Sequence, residues 1–219
     1  MTASPFTTLP SELICQVFEY AADFSVVAAL AQTARVFCHT WRENPTSICR
    51  AVAPRAISNF TDAERLLDVQ EEAAKWPRDD REPKSLIRAK RLQSNARCAS
   101  AAADAWGHLV QKHSGREEYP DPPMTPSELA RFKHTFYCVW TAGVMTRAPH
   151  LRDQALPFLD KCNPRELFRL DELAIWASYY NENDFGSAGL ALRDEVWMDG
   201  YDLVQRCLQK IYLKRNICY

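Results

Sequence analysis

Along most of this chain apolar residues recur at steps of three and four, while alternating β-branched or aromatic runs between turn residues are hard to find. The pattern predicts an all-α fold. From Pro10 to Ala22 the residues Leu13, Ile14, Val17, Phe18, Tyr20 and Ala21 sweep an arc of about 160° on a helical wheel, with Glu12, Gln16 and Glu19 on the other side. An arc that wide is more than one packing partner usually covers. Asp23 is placed to cap a second helix through Val26, Val27 and Leu30. A third runs from about Arg35 to Glu43 with Val36, Phe37 and Trp41, before Pro45 and Thr46 interrupt it. Three short helices therefore open the chain.

Thr61 is read as the cap of a helix from Asp62 to about Ala74, with Leu66, Leu67 and Ala73 inward. The charged stretch 76–83, containing Pro77 and Pro83, then reads as a linker. Good helix formers fill Lys84 to Lys112, where Leu86, Leu92, Ala96, Ala99, Ala103, Trp106 and Val110 keep to a broad face whose alanines permit close packing. Residues 114–125, with Gly115, Pro120, Pro122 and Pro123, form the second linker. Thr125-Pro126-Ser127-Glu128 and Asn163-Pro164-Arg165-Glu166 each set a capping side chain, a proline at the first helical position and a glutamate at the third, which fixes two helix starts. The first leads Leu129, Phe132, Phe136, Trp140 and Val144 along one face; the second leads Leu167, Leu170, Leu173, Ala174 and Ala177. Between them lies a short helix from about Pro149 to Leu159. Asn181 to Gly186 reads as a turn, and Ser187 to about Lys214 as a closing helix with Leu190, Val196, Trp197, Val204, Leu208 and Ile211 inward. No internal repeat of roughly 20 to 50 residues is evident, which argues against a solenoid.

Composition narrows the function classes. With Lys+Arg at 27 against Asp+Glu at 28, the formal net charge is -1 and the basic footprint of a phosphate-neutralising protein is missing, so nucleic acid is not the expected partner. No run approaches the ~18 consecutive apolar residues of a membrane span, and MTASPFTTLPSEL lacks the basic and apolar regions of a secretory signal. The 8 cysteines are scattered singly in helical segments, which favours reduced, mostly buried thiols and a cytoplasmic or nuclear compartment.

The run Leu9-Pro10-Ser11-Glu12-Leu13-Ile14, followed by Val17-Phe18, Leu30-Ala31, Arg35-Val36-Phe37 and Trp41, resembles the F-box pattern in order and approximate spacing. On that reading residues 5–46 are an F-box, and 47–219 a helical, partner-binding region that more loosely resembles the C-terminal parts of fungal F-box proteins in RFKHTFYCVWTAGV and NPRELFRLDELAIWASYYNEN. The resemblance implies a Skp1-type partner, and through it a cullin and a ubiquitin ligase to which a target protein is recruited. Leu9 and Pro10 would anchor the entry to the first helix, Leu13, Ile14, Val17 and Phe18 would face Skp1, and Leu30, Val36, Phe37 and Trp41 would complete the interface. Ala21 stands where the family has a large aliphatic residue. The physical reading agrees with the resemblance: three short helices with apolar groups on more than one face cannot bury them all against each other. Rival readings are a self-sufficient helical core, a Skp1-bound scaffold or decoy without ligase function, and a helical enzyme.

Chemistry of its own is not expected. His134 and Cys138, four apart on a helix, reach toward one point, but no second pair stands at ligand spacing and a zinc site wants three or four protein ligands, so neither metal nor cofactor is implied. His108 and His113 do not share a face, and His39 and His150 are isolated. Asp171, Glu172, Asp194, Glu195, Asp199 and Asp202 read as solvated helix faces, and Gly186-Ser187-Ala188-Gly189 is not a nucleophile elbow. No phosphate-binding or dinucleotide fingerprint occurs. Tyr179 and Tyr180, just before the polar turn Asn181 to Asp184, are the candidate partner contact in the last third.

Overall fold

The computed structural model describes residues 9–74, 84–113, 123–179 and 203–207, and every regular element among them is helical. The fold is all-α. In chain order the helices are α1 (Ser11–Glu19), α2 (Phe24–Thr33), α3 (Arg35–Glu43), α4 (Pro45–Ala56), α5 (Phe60–Ala74), α6 (Lys84–His113), α7 (Pro126–Arg147), α8 (Arg152–Leu159) and α9 (Pro164–Tyr179), with 203–207 also helical. Two compact units divide the chain: Met1–Thr61 with Arg78–Gln93, and Asp62–Pro77 with Ser94–Tyr219. The expected linker at 76–83, most of that at 114–125, the Asn181–Gly186 turn and most of the closing helix lie outside the described residues.

The first unit is built from short, locally terminated helices. α1 starts at Pro10, whose extended backbone lets its carbonyl accept from Leu13 and Ile14 at 3.1 and 3.2 Å. Asp23 caps α2 as its sequence implies, its carboxylate accepting from the Ser25 and Val26 amides at 2.8 and 2.9 Å and from the Ser25 hydroxyl at 2.6 Å; the hydroxyl first, and then the amides, hold its pKa below the usual carboxylate value. The helical run breaks after Glu43 as expected, at the non-helical Asn44. Pro45 then opens a further helix, α4, because a proline at the first helical position gives up only an amide that has no partner anyway. α4 then supplies Ile48 and Val52 to a core shared with Ile14, Phe18, Ala21, Val27 and Phe37. The core of this unit is therefore drawn from four helices, α1 to α4, and reaches beyond residue 46. Phe18 is its centre, meeting the Phe37 ring edge-on at 5.8 Å and Trp41 at 6.3 Å. The Arg55 guanidinium of α4 donates to the backbone carbonyls of Glu19 and Ala21, a cation set against the carbonyl end of α1. After α4, Asn59 takes the left-handed backbone at φ 56°, a conformation that asparagine tolerates better than most side chains. The turn lets α5 begin at Phe60, so Thr61 lies inside the helix and is not its cap.

In the second unit α7 is the central element, packed by α8 and α9. Its capping box forms as read: Glu128 amide to Thr125 Oγ1 at 3.3 Å and Thr125 amide to Glu128 Oε2 at 2.8 Å. Asn163 and Glu166 make the same reciprocal pair at 3.0 and 2.8 Å ahead of α9. Every residue from 132 to 143 is buried except His134, so α7 is sealed all round and not along the single face its spacing suggested. Phe132, Phe136 and Trp140 form an aromatic ladder with centroids 6.2 and 5.8 Å apart, joined by Trp106 of α6 at 5.9 Å. Leu167, Leu170 and Leu173 of α9 are buried as the periodicity predicts.

Phe18→Ala should lower the unfolding free energy of the full chain by roughly 3–5 kcal/mol, because it empties the centre of the first core. Val17→Ala, one position earlier but facing water, should cost under about 1 kcal/mol. Urea titration of the two variants against the native chain checks the contrast.

Candidate functional site

α1 carries two apolar stripes one residue apart. Ile14 and Phe18 form one, continued by Ala21 just past the helix, and Leu13 and Val17 the other, continued by Tyr20 at the C-cap, each at spacings of four and three, and a single-residue step turns a helix by about 100°. α3 and α4 pack on the first stripe and seal Ile14 and Phe18 completely. The second stays in solvent, with Leu13 44 % exposed, Val17 42 % and Tyr20 82 %. Val26, in the first turn of α2, is 38 % exposed. Among the described residues the one other large apolar side chain left open is Phe168, in the second unit. Among the described residues of the first unit, the exposed large apolar groups are thus on α1, at its C-terminal end and in the first turn of α2.

Measured against the sequence reading, the candidate docking residues separate into three groups. Leu13 and Val17 are open to solvent, and Pro10 is exposed at the helix entry. Leu9, Leu30, Val36 and Trp41 are half-buried and pack on the edge of the core. Ile14, Phe18 and Phe37, expected on the docking face, are instead inside the core, since a stripe able to meet α3 and α4 is filled from within the module. Tyr20 and Val26 belong to the exposed group and were not singled out from the sequence. The signal for Tyr20 was present, since it continues the Leu13 and Val17 spacing. Tyr180 and the side chain of Tyr179 lie outside the described residues, so the candidate corner at 179–180 gains no geometry.

The polar rim of α1 is fixed in place. The Glu19 carboxylate accepts from Ser47 Oγ of α4 and stands 3.6 Å from Cys15 Sγ. Burial first, and then the neighbouring Glu19 charge, raise the Cys15 thiol above its ordinary pKa.

A second cluster joins residues distant in sequence. His134 Nδ1 of α7 lies 2.9 Å from Asp62 Oδ2 of α5, and Cys138 Sγ, one turn on, lies 3.8 Å from His134 Nε2. Arg65 Nη1 stands 3.7 Å from the same aspartate. The hydrogen bond to Asp62, with a smaller contribution from Cys138, raises the His134 pKa to about 10. The imidazole is therefore cationic near neutrality. Among the described residues no group of three or more His, Cys, Asp or Glu side chains is arranged to hold a metal ion, no helix is long and apolar enough to cross a membrane, and none of the seven described cysteines is in a disulfide.

Comparison with known protein families, curated proteins and solved structures gives no match.

Because the folded pKa of His134 lies above its ordinary 6.5, protonation favours the folded state. Its contribution is complete below about pH 6.5, declines as the pH rises from there, and is gone above about pH 10. The Tm difference between the native chain and His134→Gln should accordingly be widest near pH 6.5 and should close by pH 10, as read by thermal unfolding in a series of buffers.

Proposed function

We propose that the first unit is an F-box module that docks on a Skp1-type adaptor, and that the chain acts in a cullin-RING ubiquitin ligase by bringing a target protein to it. The observation that carries this reading is the open stripe of Leu13 and Val17 on α1 with Tyr20 at its C-terminal end; Val26 on α2 is a further exposed apolar side chain. It lies within the segment Leu9 to Trp41, whose residue order resembles the F-box pattern. Two physical arguments support a macromolecular partner. Covering the exposed parts of Leu13 and Val17 is worth roughly 1 kcal/mol each from apolar burial, and a tyrosine presented on a rigid helix is a frequent binding hot spot. Ile14, Phe18 and Phe37 act on this proposal from beneath: they fix α1 against α3 and α4, so the outer stripe meets its partner without an ordering cost. Catalysis then belongs to other subunits, and the second unit is where the target or a regulator binds.

The test is co-expression with a Skp1-type protein. The native chain should co-purify with it, and Leu13→Asp combined with Val17→Asp should weaken binding by about 100-fold or more while leaving the Tm nearly unchanged, because both side chains face water in the isolated module. Equal binding by both chains, or no binding by the native one, would remove the proposal's support.

A further inference from the structure

The cluster on α5 and α7 has no part in docking, and its arrangement is that of an assisted thiol. Asp62, an ionised carboxylate, can only accept, so His134 Nδ1–H donates to it across 2.9 Å and the ring is held with Nε2 turned toward Cys138 Sγ at 3.8 Å. Helical spacing sets the second contact, since residues four apart stand one above the other on the same face. The His134 side chain is 41 % exposed and Cys138 only 5 %. Buried sulfur therefore lies beside an imidazole that reaches water.

We propose that Cys138 is an oxidative modification site for small hydroperoxides, with His134 as proton donor and Asp62 as the residue that positions it. The sulfur lone pair attacks one peroxide oxygen, an S–O bond forms and the O–O bond breaks. His134 Nε2–H gives its proton to the departing oxygen, which leaves as water when the reagent is hydrogen peroxide, and the thiol proton then refills Nε2. Sulfur is oxidised by two electrons to the sulfenic acid and the peroxide is reduced by the same two. The cationic imidazole at neutral pH supplies the proton that this step requires. Cys49 and Cys98 are the comparison sites: they too are buried, and burial raises their thiols to about 11 and about 12.

The full chain is treated with limiting hydrogen peroxide in the presence of dimedone, and adducts are quantified at each cysteine by mass spectrometry. Cys138 should be labelled on the order of tenfold faster than Cys49 and Cys98, and His134→Gln should abolish that advantage while the rates at Cys15 and Cys38 stay the same. Asp62→Asn should slow Cys138 likewise, and Asp62→Glu, which keeps a carboxylate for the ring, should restore the rate. Labelling of Cys138 no faster than Cys49 and Cys98 overturns the proposal. So does a Cys138 rate that His134→Gln leaves unchanged, and equal slowing by the Asn and Glu replacements overturns the role of Asp62. If His134→Gln unfolds the second unit, exposing Cys98 as well, the native-chain comparison and the Asp62 pair decide the matter by themselves.

Discussion

A helix one residue out of phase with itself cannot hide both of its apolar stripes in a small module, and the first unit is organised around that limit. Ile14 and Phe18 point at α3 and α4 and are sealed; Leu13 and Val17, turned by about 100°, stay in water. The ends of α1 are tied to the backbone at Pro10 on one side and to Arg55 on the other. Packing beneath the helix and ties at its termini make the outer stripe a fixed surface, not a loose collection of greasy side chains. A surface prepared in this way recognises a partner without first ordering itself. That is the physical basis of the adaptor reading.

The second unit solves a different problem. α7 is buried on nearly every side, and a helix in that position has few places for a polar group. Burial lowers the Lys133 pKa, an effect offset in part by the Asp104 carboxylate. His134 occupies the one opening in the buried stretch, and Asp62 meets it there from α5. The ion pair joins two residues 72 apart in sequence, on α5 and α7, and it leaves the far nitrogen of the ring beside Cys138. A structural tie and a chemical arrangement thus come from the same three side chains.

Much of the architecture was readable from local chemistry. Asp23, Thr125 and Asn163 each supply a side-chain acceptor at a helix start, and all three caps form. Capping depends on residues two or three apart, which sequence displays directly. α4 was missed because Asn44 makes no capping bond and Pro45 reads equally as a stop or a start; what decided it was the burial of Ile48 and Val52, a tertiary effect. The apolar arc of α1 was legible in width but not in division. A helical wheel gives the arc of apolar residues, and only the positions of α3 and α4 determine which half of the arc is consumed. His134 and Cys138 could be paired from their spacing, whereas Asp62 could not, since nothing local connects α5 to α7.

The most direct test of this partition is methyl NMR of the native chain during titration with a Skp1-type protein. If the outer stripe is the docking face, the Leu13, Val17 and Val26 methyl resonances shift or broaden on binding, while those of Ile14 and Val27, inside the core, hold their positions. Movement of Ile14 and Val27 with a silent Leu13 and Val17 would contradict the account.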